Sequence, residues 1–469
     1  MIQRIRRKFV LLIAGIVLLV PQVQASLKGR VNAVIGQKQF RNVQFGVHIV
    51  DAASGRVLYA RNYREAMTPA SNMKILASAA ALRFLGADYK FTTEVGLIGN
   101  TLVVIGAGDP LIGDEDTDKK YGRKVGWFID AIAAELKDRD VKSLDEIIID
   151  STFFDDERVN NDWPKDQLNR AYACEVSGVN YNRNCVKLKV FRDGSRVGYS
   201  VSPATGYLTI TNRVKAVSSG NSAAGAYRNH KPNVLTLKGR CRKATTFDVA
   251  IEGPAMFFGT LLKERLASAG IKVKGGVDER YVKNRSGMRT IMKHQTPLTD
   301  VLRRCNKNSL NLAAEALVKT LSAEKTTGRL KGQWKHGLSL AGIYMTRLGI
   351  DADEFNLVDG SGLSKNNKLS PRAITTVLMD IYAGSNWQTY KDSFAIGGVD
   401  GTAKKYFSEA KYKGKIFAKT GYIKGVRAYS GYIETTSGNY IFSILTKGGS
   451  SAVRGAINNI VKAVIDEAS

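Results

Sequence analysis

Pro69-Ala70-Ser71-Asn72-Met73-Lys74 is the stretch that decides the fold, because it opens an apolar run that continues to Leu85. The proline ahead of the run is a helix-start signal, and the run predicts a buried helix from Ser71 to Leu85. Residues three apart on a helix share a face, so the Ser71 hydroxyl and the Lys74 amine are expected to meet. Because an amine in an apolar wall can take the proton of a serine, this pair is a candidate nucleophile and base.

The Ser-x-x-Lys spacing does not identify a site alone, because about two chance matches are expected in a chain of this length. Ser322–Lys325 and Ser408–Lys411 are two such matches, and both lie in polar, charged stretches. Ser71 instead opens an almost wholly apolar helix. It is therefore the candidate of the three, with an ordinary residue at a helix start as the alternative.

A second motif, Ser309-Leu310-Asn311, precedes a helical run from Leu312 to Leu321. Serine or asparagine ahead of a helix most often caps it, which is the simpler interpretation of both side chains. The functional interpretation gives Ser309 a proton-relay role and Asn311 a hydrogen bond to a substrate amide. The sequence leaves both interpretations open.

A third motif, Lys419-Thr420-Gly421, ends a predicted strand and is followed by Tyr422. A peptide-like substrate can pair with such a strand edge through backbone hydrogen bonds. The lysine would supply positive charge, the threonine a hydroxyl donor and the glycine room for close approach, so the three could hold a C-terminal carboxylate. The alternative is a surface strand that ends in a turn.

Two electrostatic predictions link the three motifs. The backbone N–H groups of Ser71 and Tyr422 could form an oxyanion hole for an acyl-transfer intermediate. If Lys74 and Lys419 lie close together, their repulsion is expected to lower the pKa of Lys74 and make it a usable base. No one motif is specific, but their order and local structure together argue against coincidence.

The first 25 residues are predicted to be a secretory signal that is removed from the mature chain. Four basic residues precede an apolar stretch, Phe9–Val20, and Val23-Gln24-Ala25 is a small-residue cleavage pattern. The alternative is an uncleaved N-terminal anchor, and no other segment is long and apolar enough to span a bilayer. The mature chain should then begin near Ser26 and be periplasmic.

The chain is strongly basic, with a formal net charge of +28 that loss of the signal would lower to +24. Such a field attracts acidic partners. Nucleic acid is disfavoured by the export signal and by the lack of a nucleic-acid-binding motif in the sequence. An anionic cell envelope is the favoured partner, and a solvated surface that aids solubility is the alternative.

The four cysteines, Cys174, Cys185, Cys241 and Cys305, do not have the spacing of a zinc site. They allow three full pairings, and a bridge among the first three, which fall in one region, is favoured over a bridge to Cys305. The four histidines are scattered, and the sequence contains neither H-E-x-x-H nor G-x-S-x-G. A Ser-His-Asp triad and a metal centre are therefore poorly supported, and no metal or cofactor is expected.

About 440 mature residues are too many for one core, so two or three domains are expected. The two ends of the chain are predicted to form one of these domains. The strands predicted in those ends are Phe45–Val50, Arg56–Ala60, Ile416–Thr420, Val426–Glu434 and Tyr440–Thr446. An amphipathic helix, Ser451–Glu467, should close the domain by packing on the sheet. The stretch between Ser71 and Ser309 is then a long insertion with a β-rich unit over residues 186–250.

This set of motifs resembles the DacB-type class C low-molecular-mass penicillin-binding proteins, the D-alanyl-D-alanine carboxypeptidase/endopeptidase family. The matching segments span nearly all of the mature chain. Besides the three motifs they include Gly108-Asp109-Pro110, Asp359-Gly360-Ser361-Gly362-Leu363-Ser364 and Gly401-Thr402. The Asp359–Ser364 stretch is the most family-specific, and its glycines are expected to shape a tight loop.

The resemblance implies an α/β (α+β) fold. A transpeptidase/β-lactamase-like domain with an antiparallel sheet and helices would be interrupted by nested β-rich accessory domains. The implied boundaries are a signal peptide at 1–25, a catalytic domain at 26–95 and 288–469, an accessory domain at 96–185 and 247–287, and a nested accessory domain at 186–246.

The resemblance also implies roles for the motif residues. Ser71 would be the acylated nucleophile, Lys74 the general base, and Ser309 the relay of a proton to the leaving group. The substrate-binding residues would be Asn311, Lys419, Thr420, Gly421 and Tyr422, of which Lys419 and Thr420 would hold the terminal carboxylate.

Asp166 is a further residue that the resemblance brings forward, because the Trp163-Pro164-Lys165-Asp166 stretch resembles the family's accessory-domain aspartate region. In the family that aspartate can contact the amino group of the stem-peptide diamino acid. The alternative is an ordinary solvated loop residue.

The implied reaction is hydrolysis of peptidoglycan stem peptides through an acyl-Ser71 intermediate, with β-lactam antibiotics as inhibitors. Two alternatives remain open. A β-lactamase of the same superfamily would need a second base for fast deacylation, and the insertion shows no obvious glutamate motif of that kind. A non-catalytic envelope-binding protein would use only the basic surface.

Overall fold

The computed structural model describes residues 26–326 and 330–468. The helices are α1 (Leu27–Ile35), α2 (Met73–Leu85), α3 (Glu115–Lys120), α4 (Trp127–Lys137), α5 (Pro254–Ser268), α6 (Leu298–Asn306), α7 (Asn311–Lys325), α8 (Trp334–Arg347), α9 (Pro371–Ala383), α10 (Trp387–Asp392) and α11 (Val453–Glu467). The predicted secretory signal lies outside the described residues.

Strands account for most of the remaining regular structure. They are β1 (Gln44–Asp51), β2 (Val57–Arg61), β3 (Lys90–Ile98), β4 (Thr101–Gly106), β5 (Ser143–Leu144), β6 (Ile147–Asp150), β7 (Cys185–Asp193), β8 (Arg196–Ser202), β9 (Thr209–Ala216), β10 (Ala223–Arg228), β11 (Val234–Cys241), β12 (Thr245–Ala250), β13 (Lys272–Val273), β14 (Val277–Glu279), β15 (Arg289–Pro297), β16 (Phe355–Asn356), β17 (Lys368–Leu369), β18 (Ala395–Ile396), β19 (Ile416–Ile423), β20 (Val426–Thr435) and β21 (Gly438–Lys447).

One antiparallel sheet joins the two ends of the chain, in the order β18-β19-β20-β21-β1-β2. The last strand, β21, pairs along the whole of β1, so that His48 lies opposite Ser443. This pairing confirms the prediction that the two ends fold together. Alternate residues of each strand enter different cores, because side chains of a strand point to opposite faces.

The two faces of this sheet are covered by different helices. On one face, Val47 and Phe442 pack with α1 and α11, whose apolar stripe includes Ile457 and Ile460. On the other face, Ile441 and Leu445 pack with α2, α7 and α9. The prediction that the closing helix packs on the sheet is confirmed, and α2 and α7, the helices that follow the first two motifs, lie on the second face.

The insertion contains separate sheets. A five-stranded sheet has the order β14-β6-β4-β3-β15, and two three-stranded sheets have the orders β12-β7-β8 and β10-β11-β9. These last two sheets lie in the part of the chain where a β-rich unit is predicted. The domain boundaries drawn from the resemblance stay a prediction.

Two expectations need correction. The four cysteines are all buried and free, so the expected bridge among the first three is not formed. The thiol of Cys174 lies against Cys185 and, together with burial, raises the pKa of Cys185 well above its ordinary value. The predicted helix also starts later than expected, because residues 70–72 form a 3₁₀ turn and α2 begins at Met73.

No helix in the described ranges is both long and apolar enough to cross a membrane.

Candidate active site

Ser71 and Lys74 meet at the start of α2, as their spacing predicts. Ser71 lies in the 3₁₀ turn that leads into the helix, and the Lys74 Nζ atom is 3.2 Å from the Ser71 Oγ atom. The Lys74 side chain is fully buried, whereas Ser71 keeps partial exposure. A substrate can therefore reach the hydroxyl while the amine stays out of water.

Two oxygen atoms besides the serine hold the Lys74 amine. Its Nζ donates to Oδ1 of Asn311 at 2.7 Å and to the backbone carbonyl of Ser361 at 2.7 Å. The second motif and the Asp359–Ser364 loop thus both reach the amine. In the neutral amine these two acceptors take both N–H groups, which leaves the nitrogen lone pair directed at the serine hydroxyl.

Burial is the main cause that lowers the pKa of Lys74, to about 8. The nearby Cys305, Glu315 and Asp359 act in the opposite direction and raise it. The prediction that repulsion from Lys419 sets this pKa is therefore wrong in its cause, although the direction is as expected. Repulsion does act on Lys419, whose pKa is held well below its ordinary value first by burial and then by Lys74.

Ser309 and Lys419 form the second pair of the site. The Lys419 Nζ atom donates to Ser309 Oγ at 2.8 Å and to the Thr420 carbonyl at 2.7 Å. Ser309 has a positive φ of 63°, which is rare for serine. Strained backbone conformations of this kind are often found at functional sites. The helix α7 begins at Asn311, with no side-chain cap bond at its start. The capping interpretation of this motif is therefore not supported.

The strand β19 leaves part of its edge free for a substrate. Its neighbour β18 pairs only with Phe417 and Ala418, so the described strand is open on that side from Lys419 onward. Thr420 is half-buried and Tyr422 is 61% exposed. This is the arrangement in which an extended peptide can add to a sheet.

Gly421 serves the packing of the serine turn. A Cβ atom at this position would lie 2.9 Å from Asn72 Oδ1 and 3.0 Å from the carbonyl of Pro69. The sequence analysis explained the glycine at position 421 by room for the substrate. The structure gives a further reason, because the turn that carries Ser71 rests directly on β19. The oxyanion hole from the N–H groups of Ser71 and Tyr422 stays a prediction.

A loop of the insertion borders the site. Asn311 donates through Nδ2 to the carbonyl of Tyr172 at 2.6 Å, while its Oδ1 accepts from Lys74. Asp166 lies in the same loop, exposed, on a short 3₁₀ turn over Lys165–Gln167. The structure therefore places Asp166 on a segment that reaches the site, and its role stays a prediction.

Two buried carboxylates beneath Lys74 were given no role by the sequence analysis, which quoted Asp359 only within the family-specific stretch and did not single out Glu315. Glu315, one turn after Asn311, accepts the backbone N–H groups of Gly360 at 2.8 Å and Ser361 at 2.9 Å. Asp359 accepts the N–H groups of Gly362 and Ser364 at 2.7 Å each. The carboxylates hold the loop whose Ser361 carbonyl binds the Lys74 amine.

Tryptophans extend this carboxylate network outward. The indole of Trp334 donates to Glu315 at 2.8 Å, and the indole of Trp163 donates to Asp359 at 3.0 Å. Burial and repulsion from Asp359 raise the pKa of Glu315 to about 7. Because Trp163 begins the loop that carries Asp166, the network joins the accessory loop to Lys74. The sequence signals were a glutamate in the mostly apolar first half of α7 and the family-specific stretch that contains Asp359.

We expect Glu315→Gln to slow acylation of Ser71 by about 10- to 100-fold. Glu315 accepts three N–H groups, from Trp334, Gly360 and Ser361. Glutamine has one oxygen in place of two, and its NH2 group would face at least one of these donors. The loop is then expected to shift and to move the Ser361 carbonyl away from Lys74. The rate constant for acylation by a β-lactam measures this. Glu324→Gln, an exposed change on the same helix next to Tyr89, is the matched control and should leave the rate unchanged.

The glycines of the Asp359–Ser364 loop allow it to pass under the serine turn, as expected. Gly362 has a φ of +80°, and a Cβ atom there would lie 1.8 Å from the carbonyl of Ala70. A Cβ atom on Gly360 would lie 2.7 Å from the carbonyl of Ala314. No side chain fits between this loop and the backbone beside Ser71.

We expect Gly362→Ala to lower the free energy of unfolding by about 3 kcal/mol or more and to reduce β-lactam acylation. Gly270→Ala is the control, because Gly270 has a φ of +83° and nothing within 4 Å of the added Cβ atom. Its cost should be the conformational strain alone, about 1–2 kcal/mol. Equal losses of stability in urea unfolding would show that the close contact with Ala70 does not matter.

Comparison with known proteins agrees with the site. A model of the D-Ala-D-Ala carboxypeptidase 3 (S13) family matches residues 27–467. The chain belongs to this family. A D-alanyl-D-alanine carboxypeptidase from Actinomadura sp. (strain R39) is 30% identical over 465 residues, which cover 93% of this chain and 83% of the relative. The resemblance found in the sequence is thereby confirmed.

Two solved structures share the fold. Penicillin-binding protein 4 (DacB) from Haemophilus influenzae superposes with a TM-score of 0.79 at 22% identity, covering 93% of this chain and 98% of the other. A predatory peptidoglycan endopeptidase from Bdellovibrio bacteriovorus gives a TM-score of 0.54 at 16% identity, covering 91% and 94% of the two chains. The expected transpeptidase-like α/β fold of this S13 peptidase is thus confirmed.

Proposed function

We propose that this S13 peptidase hydrolyses D-Ala-D-Ala ends and D-amino acid cross-links of peptidoglycan stem peptides through an ester on Ser71. The observation that carries the proposal is the 3.2 Å contact between Ser71 Oγ and the Lys74 amine, whose pKa is lowered by burial to about 8. An amine with this pKa is neutral in a useful fraction of molecules at neutral pH. It can therefore accept the serine proton.

Acylation would use Ser71, Lys74 and Ser309. Ser71 Oγ attacks the carbonyl carbon of the penultimate D-alanine while its proton passes to the Lys74 amine. The bond to the terminal amine breaks, and the proton held by Lys74 passes on through Ser309 to that amine, which leaves as D-alanine or as a peptide strand. Water then hydrolyses the ester, which releases the shortened peptide as its carboxylate and frees Ser71.

Lys419 and Thr420 hold the terminal carboxylate of the substrate in this scheme. The pKa of Lys419 lies well below its ordinary value, because the amine is buried and faces Lys74. An arriving carboxylate favours the charged form of Lys419. Binding would thus charge Lys419 and pair it with the substrate carboxylate.

The remaining part of the substrate would lie between the free edge of β19 and the accessory loop. Gly421 and Tyr422 continue that edge, Asn311 faces the substrate backbone, and Asp166 would bind the amino group of the diamino acid. The reaction requires access to the cell wall, so the protein would be exported and periplasmic. β-Lactams would acylate the same serine.

Release of D-alanine from a pentapeptide and cleavage of a cross-linked dimer test the proposal directly. Either product, formed by wild type and blocked by prior treatment with benzylpenicillin, is the expected result. Rapid and sustained turnover of a chromogenic β-lactam without peptide cleavage would instead identify a β-lactamase.

Asp166→Ala should raise KM for peptides with a free diamino-acid amine and spare substrates in which that amine is acetylated.

A further inference from the structure

The basic charge of the chain is concentrated in one small part. Residues 186–246 contain twelve lysines and arginines, one aspartate and no glutamate. These residues form the two three-stranded sheets of the insertion, except that β7 starts one residue before the range and β12 continues beyond it. A charge of this density on so small a unit creates a strong local field.

Four of these cations lie together on one face of the sheet β10-β11-β9. Lys238 of β11 is in register with Arg213 of β9, and Arg240 is in register with Lys215. Residues two apart on a strand point the same way, so all four share the outer face. All four are exposed, whereas the inner face carries the buried Leu235 and Leu237.

Among the described residues, none of these four side chains forms an ion pair with a carboxylate. The ion pairs described for residues 186–246 join Lys187 to Glu115 and Arg228 to Glu252. Like charges on neighbouring strands destabilise a sheet. A face that keeps two such pairs in register, without counter-charges of its own, is complementary to an anionic partner.

The sheet is connected to the active site through one loop. Asn169 donates through Nδ2 to the carbonyl of Ala226 in β10 at 2.6 Å. Three residues further on, the carbonyl of Tyr172 accepts from Asn311 of the active site. A polymer held on the outer face is therefore bound next to the loop that borders the catalytic serine.

We propose that the outer face of sheet β10-β11-β9 is a docking surface for the carboxylate-bearing peptidoglycan polymer, distinct from the cleft in which a stem peptide is cleaved. The proposal rests on the proposed function for the identity of the polymer. It assigns the four cations to holding the wall, so that the enzyme acts on many stem peptides before it leaves.

The composition of the face favours this polymer over other anionic partners. Apart from Tyr227, which is 53% exposed, the strand β10 adds only Ala223 and Gly225 to the outer face. A membrane-surface site would present several large apolar side chains for insertion. Binding of single-stranded nucleic acid would use a series of aromatic platforms, where this face has one.

The test compares wild type with the quadruple variant Arg213→Gln, Lys215→Gln, Lys238→Gln and Arg240→Gln. Both are made on a Ser71→Ala background and sedimented with purified sacculi at low and high salt. We expect the variant to lose about tenfold or more of its sacculus affinity, and wild-type binding to weaken with salt. With active Ser71, the variant should cleave soluble pentapeptide at the wild-type rate and release less D-alanine from sacculi.

Two control proteins keep the outcome interpretable. Lys28→Gln, Lys38→Gln, Lys404→Gln and Lys405→Gln together remove the same charge from exposed positions elsewhere, and should leave sacculus binding near wild type. Lys215→Arg with Lys238→Arg keeps the charge and should also bind normally. Equal losses in the two quadruple variants, or binding to anionic phospholipid vesicles or DNA in preference to sacculi, would overturn the proposal. Inactivity of wild type on soluble peptide, with sacculus binding retained, would instead count against the proposed function.

Discussion

Ser71→Ala is expected to lower kcat/KM for D-alanine release by about 10⁴-fold or more. The substitution removes the only atom that forms the ester, and binding of the peptide cannot replace a missing nucleophile. The melting temperature should stay close to wild type, because the side chain is partly exposed and the bond to Lys74 is its one side-chain hydrogen bond in the described structure. D-alanine release from a pentapeptide, together with thermal unfolding, measures both effects.

The chain supplies its own control for this prediction. Ser408 belongs to a Ser-x-x-Lys match, Ser408–Lys411, that lies on the surface, where Lys411 pairs with Asp466. Ser408→Ala should leave activity and stability unchanged. Activity that survives in Ser71→Ala would mean that another residue attacks the substrate.

Lys74→Met is expected to reduce the acylation rate by about 10²- to 10⁴-fold. Methionine fills the buried space but cannot take the serine proton. The pH dependence separates this role from simple packing. The pKa of Lys74 is lowered to about 8, and only its neutral form is a base, so the wild-type acylation rate should rise with pH to a plateau above about pH 8. The residual rate of the variant should lack this rise.

Lys411→Met is the control, because Lys411 belongs to another Ser-x-x-Lys match, is exposed, and forms its ion pair with Asp466. It should retain both the rate and the pH profile. A wild-type rate that falls through pH 8, or a rise that persists in Lys74→Met, would show that a group other than Lys74 accepts the proton.

The sequence was sufficient for the parts of the site that depend on local order. Ser71 and Lys74 share a helical turn, and a three-residue spacing dictates their contact. Lys419 lies in a predicted strand, near the part of its edge that β18 leaves open. The strands predicted at the two ends of the chain indicated one domain, and the pairing of β1 with β21 joins those two ends.

Long-range burial explains what the sequence could not give. The pKa of Lys74 depends on how completely the folded chain excludes water, which no local pattern records. Glu315 lies in a helix with several other polar residues, and only the folded chain shows that the loop at Gly360 and Ser361 rests on it. The clustering of Arg213 and Lys238 likewise depends on a parallel pairing between strands that are distant in sequence.

The central claim is that Ser71 becomes acylated, and intact-protein mass after incubation with benzylpenicillin tests it most directly. Wild type should gain one adduct of the drug's mass, a peptide digest should place it on Ser71, and Ser71→Ala should gain none. An adduct of the same mass on Ser71→Ala, or a digest that places the wild-type adduct on another residue, would contradict the account.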